Sequence, residues 1–224
     1  MAEMLDPMSS TTAAASSAHA PSAPPDPCPA CDSVEYKVLL TAEDRRFRTT
    51  AEKFQVVECG VCRLIRMEPR PAPEEVRKYY PPPDLTPAVK APELSVRALC
   101  ERLSLISQLR FTDRALRDSG ETGLVLDVGC GDGRFLDALR RRGTGNVAGL
   151  DFSLSFAADA WRIHGVPAVC ATLSRAPCAP GSCAAITMFH VLQHLYHPVA
   201  YLDAARALLA PEGQIGRAHV STPV

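Results

Sequence analysis

The stretch LVLDVGCGDGRF, from Leu124 to Phe135, decides the fold of this chain. Its first half is a short apolar run, typical of a buried strand, that ends at the acidic residue Asp127. Glycines then follow at every second position, as Gly129, Gly131 and Gly133, before a basic helical segment begins. Glycine lacks a Cβ, so a ligand can lie directly against such a turn. The stretch therefore predicts a strand, a binding turn and a helix.

Strand-like and helical segments alternate from this stretch onward. The predicted strands are LVLDV, NVAGLD, PAVCA and CAAITMF, and the predicted helices are RFLDALRRRG with Gly143 as its cap, SLSFAADAWRIHG and PVAYLDAARALLAPEG. Strict alternation predicts an α/β fold with a parallel sheet covered by helices on both faces, and ligands at the carboxyl ends of the strands. An earlier helix is predicted by an apolar face, consisting of Leu99, Leu103, Ile106 and Leu109.

The glycine spacing argues against a dinucleotide. A dinucleotide fingerprint, G-x-G-x-x-G, needs a third glycine where this chain has Arg134. Asp127 would also face the pyrophosphate, and two like charges about 4 Å apart cost roughly 4 kcal/mol at an effective dielectric constant near 20. A cationic ligand would be attracted instead. S-adenosylmethionine, with its sulfonium and α-ammonium groups, fits this prediction.

The motif LDVGCGDGRFL resembles the first motif of class I S-adenosylmethionine-dependent methyltransferases. The resemblance continues through VAGLDFS and TMFHVLQHLYHPVAYLDAARALLAPEG and covers about residues 95 to 215. It implies a Rossmann-like, doubly wound parallel sheet, with Asp151 accepting the ribose hydroxyls and Phe152 beside the adenine. The expected cofactor-binding residues are Asp127, Gly129, Cys130, Gly131, Gly133, Asp151, Phe152 and Leu173.

Three of these residues carry qualifications. Cys130 is expected to be a small filler between two glycines, and Asp151 taken alone could be a helix N-cap. The family often has an acidic residue after the third strand, facing the adenine amine, but this chain reads ATLSRAPCAPGS there. Backbone groups near Thr172 and Leu173 are expected to take its place.

The segment FHVLQHLYHP supplies the candidate catalytic residues. It places His190, His194 and His197 just after the fourth strand, where an acceptor would lie. Similar sugar methyltransferases carry a Glu-His pair here, which would fall on Gln193 and His194. We therefore expect His194 to be the general base, with His190 as a second catalytic candidate. The alternative is that His194 is a hydrogen-bonded structural residue at a helix start.

Two C-x-x-C pairs precede this domain. Cys28 and Cys31 form the first pair, and Cys59 and Cys62 form the second. Four thiolates suit a tetrahedral Zn²⁺ ion, so the spacing predicts a closed, structural zinc ribbon, with YKVLL, KFQVVEC and RLIRM as its strands. Redox-active dithiols are the alternative. A module of about 40 residues has too little core to fold alone, and zinc would stabilise it.

The zinc ribbon resembles the N-terminal lobe of bacterial methyltransferases that act on sugars and other small biosynthetic intermediates. On that resemblance Tyr79 or Tyr80 would line an acceptor pocket, whereas packing in the core or linker is the alternative role. Residues 27–80 carry ten basic and nine acidic residues, a balance that disfavours nucleic acid as a partner.

The chain divides by composition into five segments. We expect a disordered leader at 1–26, the zinc ribbon at 27–70, a proline-rich connector at 71–94 and the cofactor-binding domain at 95–214. This domain lacks the last strands of the resembling fold, so we expect it to be truncated at its C-terminus. Residues 215–220 match a translated sequencing adapter, so 215–224 is expected to be a non-native tail.

The overall charge and hydropathy argue against further classes of partner. The 24 basic and 25 acidic residues give a net charge of −1, so no overall field attracts nucleic acid or a membrane. No membrane span or signal peptide is recognisable, and we expect a cytoplasmic protein. The main hypothesis is methyl transfer to a small-molecule acceptor. RNA or protein methylation, or a noncatalytic zinc-containing binding module, are the alternatives.

Overall fold

The computed structural model describes residues 26–45, 48–72, 75–79 and 95–216. These ranges belong to two compact units that divide after Pro81. The predicted leader lies outside the described residues apart from Asp26, as do most of the connector, including Tyr80, and residues 217–224 of the predicted tail.

The N-terminal unit is a three-stranded antiparallel sheet in the order β1-β2-β3, followed by the one-turn helix α1. Its elements are β1 (Tyr36–Glu43), β2 (Lys53–Cys59), β3 (Ile65–Glu68) and α1 (Val76–Tyr79). All three strands occur where the sequence predicts them. Val57 is fully buried, but Val38 and Leu40 are about half exposed. This unit therefore buries little apolar surface, as expected for a module of its size.

The C-terminal unit is a five-stranded parallel sheet in the order β6-β5-β4-β7-β8. Its elements are α2 (Val96–Ser119), β4 (Leu124–Val128), α3 (Arg134–Arg141), β5 (Val147–Asp151), α4 (Leu154–His164), β6 (Ala168–Cys170), β7 (Cys183–Thr187), α5 (Pro198–Leu208) and β8 (Leu209–Gly216). The predicted Rossmann-like, doubly wound sheet is confirmed.

The central strand β4 separates two apolar cores. Val125 points to the face that is covered by α2 and α3, whereas Leu126 and Val128 point to the face that is covered by α5. Successive side chains of a strand alternate between the faces of a sheet, so an apolar run such as Leu124–Val128 is buried on both. The glycine turn that follows β4 consequently emerges at the middle of the carboxyl edge.

Helix α2 begins at its N-cap Ser95 and ends at Gly120, but its predicted apolar face is wrong. Only Leu109 of that face is buried, whereas Leu99, Leu103 and Ile106 are between 42% and 57% exposed. The buried face consists of Leu105, Leu109, Thr112 and Leu116. At 100° per residue it lies roughly 95° around the helix from the predicted stripe. None of the helices in the described ranges, this one included, is long and apolar enough to cross a bilayer.

The last helix is shorter than predicted. Helix α5 ends at Leu208, and the residues that were expected to complete it, up to Gly213, belong to β8. Pro211 has no N–H and disfavours a helical residue before it, which agrees with an early end. β8 pairs with β7, and Ile215 and Gly216, which the sequence assigns to the tail, lie opposite Ile186 and Thr187.

Candidate active site

The three glycines of the turn all adopt left-handed backbone conformations, with φ of 73° at Gly129, 56° at Gly131 and 80° at Gly133. A Cβ at Gly129 would lie 2.7 Å from Val191 Cγ2, and one at Gly133 would lie 2.8 Å from Ala160 Cβ. Packing therefore excludes side chains at both positions. A Cβ at Gly131 would meet nothing within 4 Å. The middle glycine thus faces open space, where a ligand can approach the backbone.

Asp151, at the end of β5, ties this turn to the neighbouring strand. Its Oδ2 accepts a 2.9 Å hydrogen bond from the Gly131 N–H, and its Oδ1 accepts a 2.8 Å bond from the Ser153 N–H. Ser153 is the N-cap of α4, so the N-cap alternative for Asp151 is wrong. The carboxylate is 9% exposed, and each oxygen retains a lone pair for a further donor. Asp151 can therefore accept hydroxyl groups of a ligand beside Gly131.

Asp127 lies on β4 directly opposite Thr187 of β7, and Thr187 Oγ1 donates a 2.6 Å hydrogen bond to Asp127 Oδ1. Both residues are almost fully buried. Burial raises the pKa of Asp127 to about 7, against the hydrogen bond from Thr187, and the Asp151 charge raises it further. At neutral pH without a ligand, the carboxyl group is therefore only partly ionised. The sequence analysis treated Asp127 as fully charged.

The Cys130 side chain points into the apolar core beside β5. Its Sγ packs where a Cβ of Gly149 would be, 2.4 Å from that position, and the residue is 7% exposed. Burial raises the pKa of its thiol to about 12, so the group stays neutral. The side chain is a filler, as expected, and the Cys130 N–H already donates to the Leu150 carbonyl at 3.0 Å.

The two remaining cofactor candidates differ in exposure. Phe152 follows Asp151 and is 55% exposed, as a ring that stacks on a ligand would be, whereas Leu173 is 2% exposed. The Leu173 N–H donates to the hydroxyl of Tyr201, at 3.3 Å. The sequence predicted that backbone groups near Leu173 bind the adenine, but this N–H group already has a hydrogen-bond partner. Tyr201 and Thr187 are the two polar residues of the site that the sequence analysis missed, although Thr187 is the polar end of an otherwise apolar strand.

The histidine segment packs onto the glycine turn. Val191 contacts Gly129, and the ring of Phe189 meets that of Phe135 edge-on, with 5.0 Å between centroids. His190 lies between these two anchors, exposed and with a φ of 60°. A left-handed conformation costs a non-glycine residue on the order of 1 kcal/mol, and such strain is concentrated at functional sites. The packing thus places His190 beside the turn.

His194 closes the short 3₁₀ turn Leu192–His194 that follows. Its Nε2 lies 3.4 Å from Nε2 of Gln193. Partial burial lowers the pKa of His194, and the neighbouring His190 lowers it further. Both effects favour the neutral form of His194, which is the form that can accept a proton.

The four paired cysteines of the N-terminal unit converge on one point. Their Sγ atoms all lie within 4.8 Å of one another. Two contacts join the pairs, with 3.5 Å from Cys28 to Cys62 and 3.6 Å from Cys31 to Cys59. Zn–S bonds of about 2.3 Å in a tetrahedron place sulfurs ~3.8 Å apart, so the set fits a zinc ion.

The two cysteine turns share one backbone geometry. In the first, the Asp32 N–H donates to the Cys28 carbonyl at 2.9 Å, and in the second the Arg63 N–H donates to the Cys59 carbonyl at 3.2 Å. Asp32 and Arg63 have left-handed φ values of 58° and 65°. Backbone N–H groups of Cys62 and Val61 lower the pKa of Cys59 to about 6. The second turn thus favours a thiolate at Cys59.

Tyr79 lies in the N-terminal unit, where its side chain already has partners. Its hydroxyl donates to Glu52 Oε2 at 2.8 Å, and its ring meets that of Phe54 edge-on at 5.5 Å. Lys78 Nζ lies 4.9 Å from the ring centroid. These contacts favour a packing role for Tyr79.

Comparison with known proteins agrees with the geometry of the C-terminal unit. The sequence model of a family described as a methyltransferase domain matches residues 97–218. The ubiquinone biosynthesis O-methyltransferase of Pseudomonas aeruginosa (strain UCBPP-PA14) is 33% identical over 98 residues, which cover 41% of this chain and 41% of that protein. The matched part therefore spans less than half of the length of this curated relative.

Solved structures of methyltransferases are also similar. A SAM-dependent methyltransferase from Aquifex aeolicus gives a TM-score of 0.39 with 23% identity, covering 44% of this chain and 58% of its own. The plantazolicin methyltransferase BpumL, solved with SAH, gives a TM-score of 0.43 with 19% identity, covering 50% and 44%.

Proposed function

The chain belongs to the methyltransferase domain family, and from that membership we propose that it transfers a methyl group from S-adenosylmethionine to a small-molecule acceptor. One observation carries the proposal. Asp127 and Asp151 lie at the carboxyl ends of the adjacent strands β4 and β5, at one edge of the sheet. The open side of Gly131 lies beside Asp151 at the same edge. Parallel sheets bind ligands at this edge.

Each cofactor group has a matching partner in the proposed site. The backbone from Gly129 to Gly133 would lie against the methionine and ribose portions, and Asp151 would accept the ribose hydroxyls. Asp127 would accept the α-ammonium group, and Phe152 would lie against the adenine. The cofactor, when bound, supplies an activated methyl group. The chain then has to hold the acceptor in line and remove its proton.

We propose His194 as the group that removes this proton. Its lowered pKa favours the neutral form, and the segment that carries it packs onto the glycine turn through Val191. His190 is the second candidate, because its strained backbone turns it out beside the same turn. Gln193 cannot accept a proton, so His194 would act without the carboxylate neighbour of the sugar methyltransferases.

The acceptor that we propose is a sugar or a secondary-metabolite intermediate. The resemblance of the N-terminal lobe supports this class. The O-methyltransferase relative supports a hydroxyl oxygen as the accepting atom. In the N-terminal unit, we propose a structural Zn²⁺ ion held by Cys28, Cys31, Cys59 and Cys62. Such a site is closed, so the ion would stabilise the unit and take no part in methyl transfer.

Isothermal titration calorimetry of the purified chain with S-adenosylmethionine and with NAD tests the proposed cofactor. We expect binding of S-adenosylmethionine and no heat from NAD. A Gly131→Val variant should lose binding, because its side chain would occupy the open space above the turn. The matched variant Gly165→Val changes a glycine that also has a left-handed φ, of 61°, and also faces open space, outside the turn, and it should bind normally. Binding of neither ligand would favour a noncatalytic module, and binding of NAD alone would overturn the proposal.

A further inference from the structure

Thr187 lies beside Asp127 in the candidate site, and none of the proposed cofactor contacts involves it. Thr187 and Asp127 are register partners on adjacent parallel strands, although 60 residues separate them in sequence. Register partners point to the same face of a sheet from strands about 4.8 Å apart. This places the two side chains against each other in a site where both are almost fully buried.

The contact between them has the geometry of a charge-assisted hydrogen bond. Bonds from a hydroxyl group to an ionised carboxylate measure about 2.5 to 2.7 Å, and Thr187 Oγ1 lies 2.6 Å from Asp127 Oδ1. Among the described residues, this is the hydrogen bond that holds the Asp127 carboxyl group. It occupies Oδ1 and leaves Oδ2 for a ligand.

The other groups around Asp127 oppose its charge. Asp151 on β5 adds a like charge, and Cys130 in the glycine turn stays neutral, so neither favours ionisation. Burial acts in the same direction and is the largest effect. Among these groups, only the Thr187 hydroxyl favours the carboxylate.

We propose that Thr187 is a positioning residue, which favours the ionised form of Asp127 and orients its carboxyl group so that Oδ2 can accept the α-ammonium group of S-adenosylmethionine. The inference rests on the proposed function, since it assigns Asp127 to this cofactor. Strand β7, which leads to the candidate base His194, would then contribute to cofactor binding, because Thr187 on β7 holds Asp127 on β4.

Thr187→Val tests the inference because valine keeps the shape of threonine and removes its hydroxyl group. Loss of a hydrogen bond to a charged group should weaken binding of S-adenosylmethionine about 10- to 100-fold at pH 7. The loss should shrink at pH 9, where Asp127 ionises without help. Thr187→Ser, which retains the hydroxyl group, should restore most of the affinity.

Thr112→Val is the matched control. Thr112 is equally buried, and its Oγ1 has no hydrogen-bond partner among the residues that the structure describes, so the same exchange removes no contact of the site. Titration calorimetry from pH 6 to 9 on the four proteins, each checked for folding by circular dichroism, gives the comparison. If Thr187→Val binds like the parent at every pH, the inference is overturned.

A second measurement separates this inference from the proposed function. NMR titration of ¹³C-labelled aspartate in the cofactor-free protein reports the pKa of Asp127 directly, and Asp127→Asn identifies its signal. Thr187→Val should raise that pKa, and Thr187→Ser and Thr112→Val should leave it near the parent value. If the parent binds no S-adenosylmethionine, the proposed function fails, while an unchanged pKa in Thr187→Val overturns the role of Thr187.

Discussion

The Gly131 amide donates a hydrogen bond to Asp151, so the residue expected to hold the ribose also holds the glycine turn in place. Because a second amide, that of Ser153, binds the other oxygen, Asp151→Asn leaves one of the two N–H groups facing an NH₂ group. An unsatisfied buried donor costs about 1 to 3 kcal/mol.

We therefore expect Asp151→Asn to lower the free energy of unfolding by this amount and to weaken S-adenosylmethionine binding at least 10-fold. Urea unfolding and calorimetry measure the two effects. Asp159→Asn is the control, since Asp159 pairs with Arg162 near the surface of α4, and it should change neither quantity appreciably. Normal binding by Asp151→Asn would argue against a ribose-binding role.

Asp127 should make the cofactor-free protein less stable as the pH rises. Its pKa is about 7 in the folded chain against 3.8 in the unfolded chain, so the folded state binds the proton more tightly. Stability is then lost as the pH rises from about 4 towards 7 and beyond.

Asp127→Asn removes this titration, so its unfolding free energy relative to the parent should increase by roughly 2 to 3 kcal/mol between pH 5 and pH 8. Urea unfolding at several pH values measures the difference. The variant should also lose cofactor affinity, because a neutral amide attracts an ammonium group less than a carboxylate does. A stability difference that does not vary with pH would show that Asp127 is ionised at all of these pH values.

The pKa of His194 should depend on its neighbour His190. The charge of His190 disfavours protonation of His194, so His190→Asn should raise the pKa of His194. Asparagine is chosen because it tolerates the left-handed backbone that His190 adopts. NMR titration of the imidazole signals measures the shift, and His197→Asn, at the exposed start of α5, is the control. If His190→Asn and His197→Asn shifted the pKa of His194 equally, His190 and His194 would not be coupled.

The cysteine cluster should hold one zinc ion for each chain. Metal analysis by mass spectrometry should find this stoichiometry in the parent and in Cys100→Ser, since Cys100 is exposed on α2. Cys59→Ser should lose most of the zinc, because a neutral hydroxyl group replaces the thiolate that its turn favours. Retention of a full equivalent of zinc by Cys59→Ser would exclude the four-cysteine site.

Chelation provides a second view of the same site. Removal of zinc should unfold the N-terminal unit, whose apolar core is too small to stabilise it alone. The five-stranded sheet has its own two cores and should remain folded. Circular dichroism before and after treatment with a chelator separates these outcomes, and an unchanged N-terminal sheet would mean that the ion contributes little to its stability.

Local pattern was enough to predict most of the fold. The apolar run before Gly129, the alternation of strands and helices, and the two cysteine pairs depend on residues that are close in sequence. Periodicity and turn chemistry act at that range. The same signals located Asp151, whose position follows from the end of a recognisable strand.

Only the tertiary structure decided which groups meet. The Asp127–Thr187 hydrogen bond joins strands that are far apart in sequence, and the Tyr201 hydroxyl reaches the Leu173 amide in the same way. Helix α2 buries a face different from its most apolar stripe, because the position of the sheet selects the face. Sequence periodicity shows that a helix has apolar residues, but burial and the pKa of Asp127 depend on neighbours that only the packed sheet brings together.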